Sequence, residues 1–211
     1  MSSHITDLTP ATPSDVDMEL ENRVVVFTDI VGSTSLIDLF GDRAWMQALT
    51  AHLEHAEIQA LRFGGEFMKS TGDGTLAVFE DCEAAMAFAR EMLRAPAGAA
   101  DATGPFPVQL RIGLACGTVY RWRDDYFGRT VHLAARVCAA AQPGEILMST
   151  TCTERCTELK ATVQARRLVE LRGFSRSEAV CADRNRLEAA GHGTRRLASA
   201  LQSGGGKNDA N

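Results

Sequence analysis

The sequence predicts an α+β fold in which helices pack on a mixed, mainly antiparallel sheet. Short β-branched segments typical of strands alternate with longer segments of helical periodicity, and two strand segments flank a turn signal. The length of 211 residues fits one domain plus its ends, and 45% hydrophobic residues can build one core. We expect that domain over residues 21–183, after a disordered segment at 1–20 and before a C-terminal helix or flexible tail at 184–211.

The first part of the chain is predicted to form a strand and two helices. Residues 23–29 (RVVVFTD) make up a β-branched apolar run typical of a buried strand. Apolar residues at mostly helical spacing predict a long helix over 33–63. A second helix over 81–93 has an apolar face formed by Ala85, Met86, Phe88, Ala89 and Met92.

A hairpin is predicted between these two helices. Strand-like runs at 67–70 and 76–79 are separated by Thr-Gly-Asp-Gly, and Asp-Gly is a strong hairpin signal. The turn is expected to expose Asp73 at its tip.

The second part of the chain is predicted to return to strand structure after a loop. Residues 95–107 are rich in Ala, Gly and Pro and indicate a loop. Alternation in VQLRIGL predicts a strand over 108–120, and small residues form a helix over 128–141. Further strands are predicted at 145–149, 162–171 and 178–181, with a terminal helix over 182–201.

The composition excludes several classes of protein. No apolar run approaches the roughly 18 residues that span a bilayer, and the N-terminus lacks a secretory signal pattern. The formal net charge of −5 gives no general attraction for a polyanion, so duplex nucleic acid is not the expected partner. We expect a cytoplasmic protein with no membrane partner, in which a local site holds any phosphate ligand.

The six cysteines are scattered in a chain too long to need disulfides, and we expect them to be reduced. Cys152 and Cys156 form the only close pair. No second Cys or His pair at zinc-finger spacing accompanies them, which favours two thiols on a helical turn over a metal site.

Two aspartates at the ends of separate strands carry the strongest chemical signal. Asp29 lies in FTDIVGST and Asp73 in KSTGDG. Two carboxylates that converge from neighbouring strand ends suit Mg²⁺ or Mn²⁺, with nucleotide phosphates completing the coordination. Gly32, Ser33 and Thr34 open a helix whose free N–H groups can face a phosphate. Taken alone, an aspartate of this kind is more commonly a helix cap or a turn residue than a metal ligand.

Five motifs, in this order, resemble the class III adenylate/guanylate cyclase catalytic domain. They are FTDIVGST, KSTGDG, RIGLACGTV, DDYFGRTVHLAARV and PGEILMS. The resemblance covers residues 23–183 and implies the ferredoxin-like fold of class III nucleotidyl cyclases. It implies that Asp29, Asp73 and the backbone carbonyl of Ile30 bind two Mg²⁺ or Mn²⁺ ions. The implied reaction is attack of a ribose 3′-hydroxyl on the α-phosphate, which releases pyrophosphate without a protein nucleophile.

The resemblance also implies residues that read the base. Lys69 and Asp125 match the purine-selecting pair of adenylate cyclases. Adenine offers an acceptor at N1 to Lys69 and a donor at N6 to Asp125, whereas guanine offers the reverse pattern. Cytosine offers the same pattern as adenine, so the pair excludes CTP only through pocket size. The alternative interpretation of Lys69 is a solvated cation at the end of a strand. The alternative interpretation of Asp125 is a turn residue beside Asp124.

Two residues on the predicted helix over 128–141 match positions near the α-phosphate and the ribose. Arg136 matches the arginine that stabilises charge on the α-phosphate, a task suited to a permanently charged guanidinium. His132 stands one turn away, where the usual pattern has an asparagine that orients the ribose. The alternative interpretation of His132 is a histidine that lies in the core or at an interface.

Arginines elsewhere are candidates for the terminal phosphates. Arg172 stands near the place of a phosphate-binding lysine in the family, and Arg121 and Arg123 precede Asp125 on a loop. For all three the alternative is an exposed charge.

The leading hypothesis is an adenylate cyclase that makes 3′,5′-cyclic AMP from ATP as a homodimer. The resemblance implies that one subunit supplies the metal aspartates and the other the base-reading and transition-state residues. A pyrimidine cyclase that makes cyclic CMP or cyclic UMP in antiviral signalling is the alternative, as is a nucleotide-binding regulator without turnover. A GGDEF-type enzyme is disfavoured because Gly-Gly-Glu-Phe at 64–67 precedes the metal turn.

Overall fold

The computed structural model describes residues 18–94, 108–164 and 166–184. The predicted loop at 95–107 and the tail from 185 onward lie outside the described residues, as do residues 1–17 of the disordered segment predicted over 1–20. The end of that prediction is wrong, because Glu19 and Leu20 belong to a strand. The described elements, in chain order, are β1 (Glu19–Ile30), α1 (Ser33–Arg62), β2 (Glu66–Ser70), β3 (Thr75–Phe79), α2 (Cys82–Arg94), β4 (Leu110–Trp122), β5 (Asp125–Phe127), α3 (Arg129–Ala140), β6 (Ile146–Ser149), α4 (Thr150–Arg155), α5 (Thr157–Thr162), β7 (Arg167–Val169) and β8 (Glu178–Ala182).

All of the described strands join one sheet. Its order is β2-β3-β1-β4-β6-β8-β7, and β5 pairs with β4 off this path. Strands β4 and β6 run parallel, whereas the other described pairs are antiparallel. The predicted α+β fold with a mixed, mainly antiparallel sheet is therefore confirmed.

Strand β1 lies inside this sheet, between β3 and β4, and its residues 24–26 are buried on both faces. Val24 and Val26 pack against α1 and α2, whereas Val25 packs on the opposite face. A strand buried on both faces needs a continuous apolar run, which explains why RVVVF does not alternate. By alternation, Asp29 lies on the same face as Val25 and Phe27.

Helices α1 and α2 cover one face of the sheet. The predicted apolar face of α2 is confirmed, because all five of its residues are buried. Trp45 of α1 is 6% exposed and belongs to the same core. The predicted helix over 33–63 is interrupted at Gly41, which adopts a non-helical φ of 80° that glycine tolerates without strain.

Helix α3 lies on the other face, and two glycines of β4 set how closely it packs. A Cβ atom at Gly113 would lie 2.1 Å from the backbone nitrogen of Cys138. A Cβ atom at Gly117 would lie 2.7 Å from Oγ1 of Thr130. Because the two glycines are four residues apart in a strand, they face the same side. They let α3 lie directly on β4.

The last third of the described chain departs from the prediction in detail. A strand is predicted over 162–171, but only the three residues of β7 form one, and Thr162 is the last residue of α5. Helices α4 and α5 and strand β5 are too short to produce a periodic signal. The six cysteines all lie within the described residues, where they are buried and form no disulfide bond. Among the described helices, none has both the length and the apolar character that a membrane span requires.

We expect Gly113→Ala to destabilise the fold more than Gly117→Ala. At position 113 the added methyl group would overlap the α3 backbone, whereas at position 117 it would meet only the side-chain hydroxyl of Thr130 and disturb its hydrogen bond to the carbonyl of Thr118. The expected loss in the free energy of unfolding is about 3 kcal/mol for Gly113→Ala and about 1 kcal/mol for Gly117→Ala. Urea unfolding of both variants measures it, and equal losses would contradict this account of the packing.

Candidate active site

Asp29 and Asp73 lie at the same end of the central strands. Asp29 is the next-to-last residue of β1, and Asp73 lies in the turn between β2 and β3. Strands β1 and β3 pair so that Thr28 faces Thr75. A Cβ atom at Gly74 would lie 2.1 Å from the carbonyl oxygen of Thr28, so glycine lets the turn close onto β1. The sheet thus brings the two predicted carboxylates to one place.

Buried hydrogen bonds hold this turn in register. The hydroxyl groups of Thr28 and Thr75 share a hydrogen bond of 2.7 Å, and both residues are at most 1% exposed. The backbone N–H of Thr71 donates to the carbonyl of Gly74 at 2.8 Å and closes the turn. Asp73 itself is half-buried rather than fully exposed at the tip.

Helix α1 begins directly after β1, as predicted. Gly32 adopts a left-handed φ of 70°, and its carbonyl accepts a hydrogen bond from the N–H of Leu36 at 3.0 Å. The first turn of α1, which is fully described, contains no acidic residue and receives no side-chain cap. The N–H groups around Ser33 and Thr34 are therefore suited to an anion.

Arg111 of β4 is a site residue that the sequence analysis missed. It pairs with Asp29 across the β1–β4 ladder, and its Nε donates to Oδ2 of Asp29 at 2.6 Å. Its Nη1 donates to the carbonyl of Ala139 in α3 at 3.1 Å. The side chains of Arg111 and Asp29 are 34% and 29% exposed. The guanidinium thus links this carboxylate to α3 and is still accessible to a ligand.

Lys69 and Asp125 are brought into direct contact. Nζ of Lys69 donates to Oδ2 of Asp125, and the backbone N–H of Tyr126 donates to Oδ1 at 2.9 Å. Asp124 is exposed and precedes β5, so the contact distinguishes Asp125 from its neighbour. The Lys69 side chain is 48% exposed, and such a pair contributes at most about 1 kcal/mol to stability. Stabilisation of the fold therefore does not explain why Lys69 and Asp125 are in contact.

His132 and Arg136 lie on the exposed face of α3, one turn apart. Neither side chain makes a hydrogen bond or ion pair with another residue of the described ranges. The alternative of a core histidine at position 132 is wrong, because the packing of α3 on Gly113 and Gly117 turns this face outward. Both side chains are available to a ligand or to a second subunit.

The remaining candidate arginines lie in different surroundings. Arg172 is exposed in the loop between β7 and β8. Arg121 lies within 4.0 Å of glutamates on β1 and β2. Arg123 stacks on Trp122, with 4.6 Å between the guanidinium carbon and the ring centroid. Arg121 and Arg123 thus have local partners on or beside their own hairpin.

The carboxylates of Asp29 and Asp73 suit a metal ion that is bound together with a nucleotide. Within the described ranges, no group of three or more His, Cys, Asp or Glu side chains is arranged to hold a metal ion. Mg²⁺ is usually bound by one or two carboxylates together with substrate phosphates and water, which suits Asp29 and Asp73. Ile30 is 2% exposed at the end of β1, and because its side chain has no donor atom, only its carbonyl oxygen could coordinate an ion.

His52 of α1 is a buried histidine that the sequence analysis did not mark. It is 0% exposed, and its ring nitrogens have no hydrogen-bond partner within the described residues. Burial, together with the nearby His55, lowers the pKa of His52 to about 4, and Asp73 opposes the change. The imidazole is therefore neutral near physiological pH.

Comparisons with known proteins identify related sequences. The family profile of the adenylate and guanylate cyclase catalytic domain matches residues 16–182. An adenylate cyclase of Streptomyces coelicolor is 33% identical over 141 residues, which cover 66% of this chain and 35% of that protein. An adenylate cyclase of Glutamicibacter nicotianae is 30% identical over 158 residues, which cover 72% and 37%. The chain spans roughly a third of the length of these curated relatives.

Solved structures share the same architecture. The adenylyl cyclase CyaB from P. aeruginosa matches with a TM-score of 0.63 and 25% identity, over 79% of this chain and 95% of that chain. The guanylate cyclase domain of RhGC from Catenaria anguillulae, in complex with GTP, matches with a TM-score of 0.67 and 22% identity, over 78% and 97%. The sheet and its flanking helices are therefore those of class III cyclase domains.

The buried His52 predicts that the protein becomes less stable as the pH falls from about 6.5 to 4. In that window the unfolded chain takes up a proton on this imidazole that the folded protein excludes, which lowers the free energy of unfolding by about 3 kcal/mol at pH 4. His52→Leu removes this titration and is expected to flatten the pH profile of urea unfolding. The same slope in the variant and the unaltered protein would contradict the prediction.

Proposed function

Because the chain belongs to the adenylate and guanylate cyclase catalytic-domain family, we propose that it converts ATP to 3′,5′-cyclic AMP and pyrophosphate as a homodimer. The observation that carries the choice of ATP is the contact between Lys69 and Asp125. An ammonium donor beside a carboxylate acceptor complements N1 and the 6-amino group of adenine. Guanine presents a donor and an acceptor in the reverse order and would leave both groups unpaired.

The triphosphate is proposed to bind at the end of β1. Asp29, Asp73 and the Ile30 carbonyl would hold Mg²⁺ or Mn²⁺ there, two ions per site, which acidify the ribose 3′-hydroxyl and neutralise phosphate charge when bound. The partly exposed guanidinium of Arg111, which contacts Asp29, would bind a phosphate oxygen. The N–H groups of residues 32–34 at the start of α1 provide further phosphate contacts.

The remaining residues are assigned to the ribose, the α-phosphate and the leaving group. His132 donates a hydrogen bond to the ribose, and Arg136 stabilises the charge that develops on the α-phosphate. Arg172 binds the terminal phosphates. The ribose 3′-hydroxyl releases its proton to solvent water, and its oxygen forms a bond to the α-phosphorus in line with the bond to the β-phosphate, which breaks to release pyrophosphate. Positioning and charge then account for catalysis, without a covalent intermediate on the protein.

Exposed side chains support a site shared between two subunits. His132 and Arg136 project from α3 with no partner among the described residues. Trp122 and Phe127 of the β4–β5 hairpin are 37% and 41% exposed, and their ring centroids lie 6.0 Å apart. An exposed aromatic pair beside Asp125 is suited to burial against a second copy.

CTP is the alternative substrate that the same observation favours. Cytosine also has a ring-nitrogen acceptor next to an amino donor, so it complements Lys69 and Asp125 as adenine does. The size of the base pocket would have to exclude it.

A product assay tests the proposed function. The protein is incubated separately with ATP, GTP, CTP and UTP, with Mg²⁺ or Mn²⁺, and cyclic products are resolved by mass spectrometry. We expect cyclic AMP as the main product, and a loss of at least about 100-fold in Asp73→Asn because a metal carboxylate is removed. Asp124→Asn, at an exposed neighbour of the pair, is the control with unchanged turnover.

Other results of the product assay would count against specific parts of the proposal. Cyclic CMP as the main product would contradict the assignment of adenine. If none of the four nucleotides gave a cyclic product, the proposed cyclase activity would be contradicted.

Mixing two inactive variants tests the shared site. Asp29→Ala and Arg136→Ala damage opposite halves of the site, so a heterodimer contains one intact site and one doubly damaged site. Random pairing of equal amounts should restore about a quarter of the activity of the unaltered protein. Asp29→Ala mixed with Asp73→Ala is the control, because both changes lie in the same half. Recovery in the control, or none in the test mixture, would contradict a shared site.

A further inference from the structure

We propose that Tyr126 is a positioning residue for base recognition, because its buried side chain anchors β5 and so keeps Asp125 beside Lys69. The inference rests on the proposed function, since it concerns the residue beneath the base-reading pair. Three features of the structure carry it: the burial of the ring, the contacts of the phenol, and the hydrogen bond to Asp125.

Strand β5 has little else to hold it. It is three residues long and pairs only with β4, at residues 120–122. Such a short strand with one neighbour is marginally stable by its backbone hydrogen bonds alone. Tyr126 is 2% exposed, between half-buried Asp125 and exposed Phe127. Its ring belongs to a buried cluster with residues of the central strands, namely Val25, Leu76 and Val78.

The phenol oxygen connects β5 to the strand that carries Lys69. The hydroxyl group of Tyr126 donates to Oε1 of Glu66 in β2 at 3.3 Å. It accepts a hydrogen bond from Nη1 of Arg121 in β4 at 3.4 Å, and the same guanidinium lies 5.6 Å from the ring centroid. Lys69 is three residues after Glu66 on the same strand. The two base-reading residues are therefore joined through Tyr126 as well as through their own contact.

The charges around the phenol balance. Arg23 pairs with Glu21 at 2.6 Å, and Arg121 lies 3.9 Å from Glu66. Burial raises the pKa of Tyr126, and the carboxylates of Glu66 and Glu21 raise it further. The guanidinium groups of Arg23 and Arg121 act in the opposite direction. The hydroxyl group therefore stays protonated and continues to donate to Glu66. A phenylalanine would fill the same apolar space but would leave the Glu66 carboxylate and the Arg121 guanidinium without the hydroxyl group that lies between them.

The backbone of Tyr126 orients the carboxylate that would read the base. Its N–H donates to Oδ1 of Asp125 at 2.9 Å, which leaves Oδ2 for Lys69. A shift of β5 would move this carboxylate relative to Lys69, and a displacement of about 1 Å is enough to weaken recognition strongly. Asp29 and Asp73 belong to other strand ends and would keep their places. Loss of the phenol should therefore impair base recognition more than the chemical step.

Steady-state kinetics of Tyr126→Phe with ATP and GTP tests this role. We expect KM for ATP to rise about fivefold, kcat to change less than about twofold, and the ATP-over-GTP ratio of kcat/KM to fall about tenfold. Tyr120→Phe is the matched control, because Tyr120 is the chain's other tyrosine and is 43% exposed on the adjacent strand. An unchanged ATP-over-GTP ratio in Tyr126→Phe would overturn the inference.

A second pair of variants tests the same connection without altering the core. Glu66→Ala removes the acceptor of the phenol hydrogen bond, whereas Glu66→Gln retains an amide oxygen that can accept it. Because Glu66 is half-exposed, both variants are expected to fold. We expect Glu66→Ala to reproduce the loss of base discrimination and Glu66→Gln to retain it. Equal behaviour of the two variants would overturn the inference.

The outcomes separate this inference from the proposed function. Unaltered protein that forms no cyclic nucleotide overturns both. Unaltered protein that forms cyclic AMP, with Tyr126→Phe keeping its ATP-over-GTP ratio, overturns only the positioning role.

Discussion

The antiparallel pairing of β1 with both β3 and β4 is the constraint on which the rest of the site depends. Pairing with β3 places the Asp73 turn beside the end of β1, and pairing with β4 places Arg111 opposite Asp29. A slip of one residue would turn Asp29 toward the core beneath α1 and α2. The buried hydrogen bond between Thr28 and Thr75, and the close approach at Gly74, oppose such a slip.

Two of the three acidic residues assigned to the nucleotide and its metal ions contact a basic residue of the same chain. Asp29 pairs with Arg111, and Asp125 pairs with Lys69. Both pairs are partly exposed, so each contributes little to stability and is readily exchanged for a ligand. The partners are also the groups that a nucleotide needs, because a guanidinium binds phosphate and an ammonium donates to a ring nitrogen. The pairing thus offsets the charges of Asp29 and Asp125 and holds their side chains in position.

Local periodicity was sufficient to predict the long helices and strands but not the short ones. Helix α2 and its apolar face were predicted because thirteen residues contain several helical turns. Strand β5 was missed because its three residues contain too little alternation to detect. Arg111 was missed because it lies 82 residues from Asp29, and only the strand register brings them together. The burial of His52 and Tyr126 likewise depends on packing that no local pattern reveals.

By itself the sequence determined the α+β class, the hairpin that carries Asp73, and the order of the motifs that resemble a cyclase. These follow from periodicity and turn chemistry, which act over a few residues. Only the tertiary structure decided that Lys69 contacts Asp125 and that Arg136 faces outward. The first contact depends on how the β4–β5 hairpin packs over β2, and the second on how closely Gly113 lets α3 approach the sheet. Both are settled by packing between segments far apart in the chain.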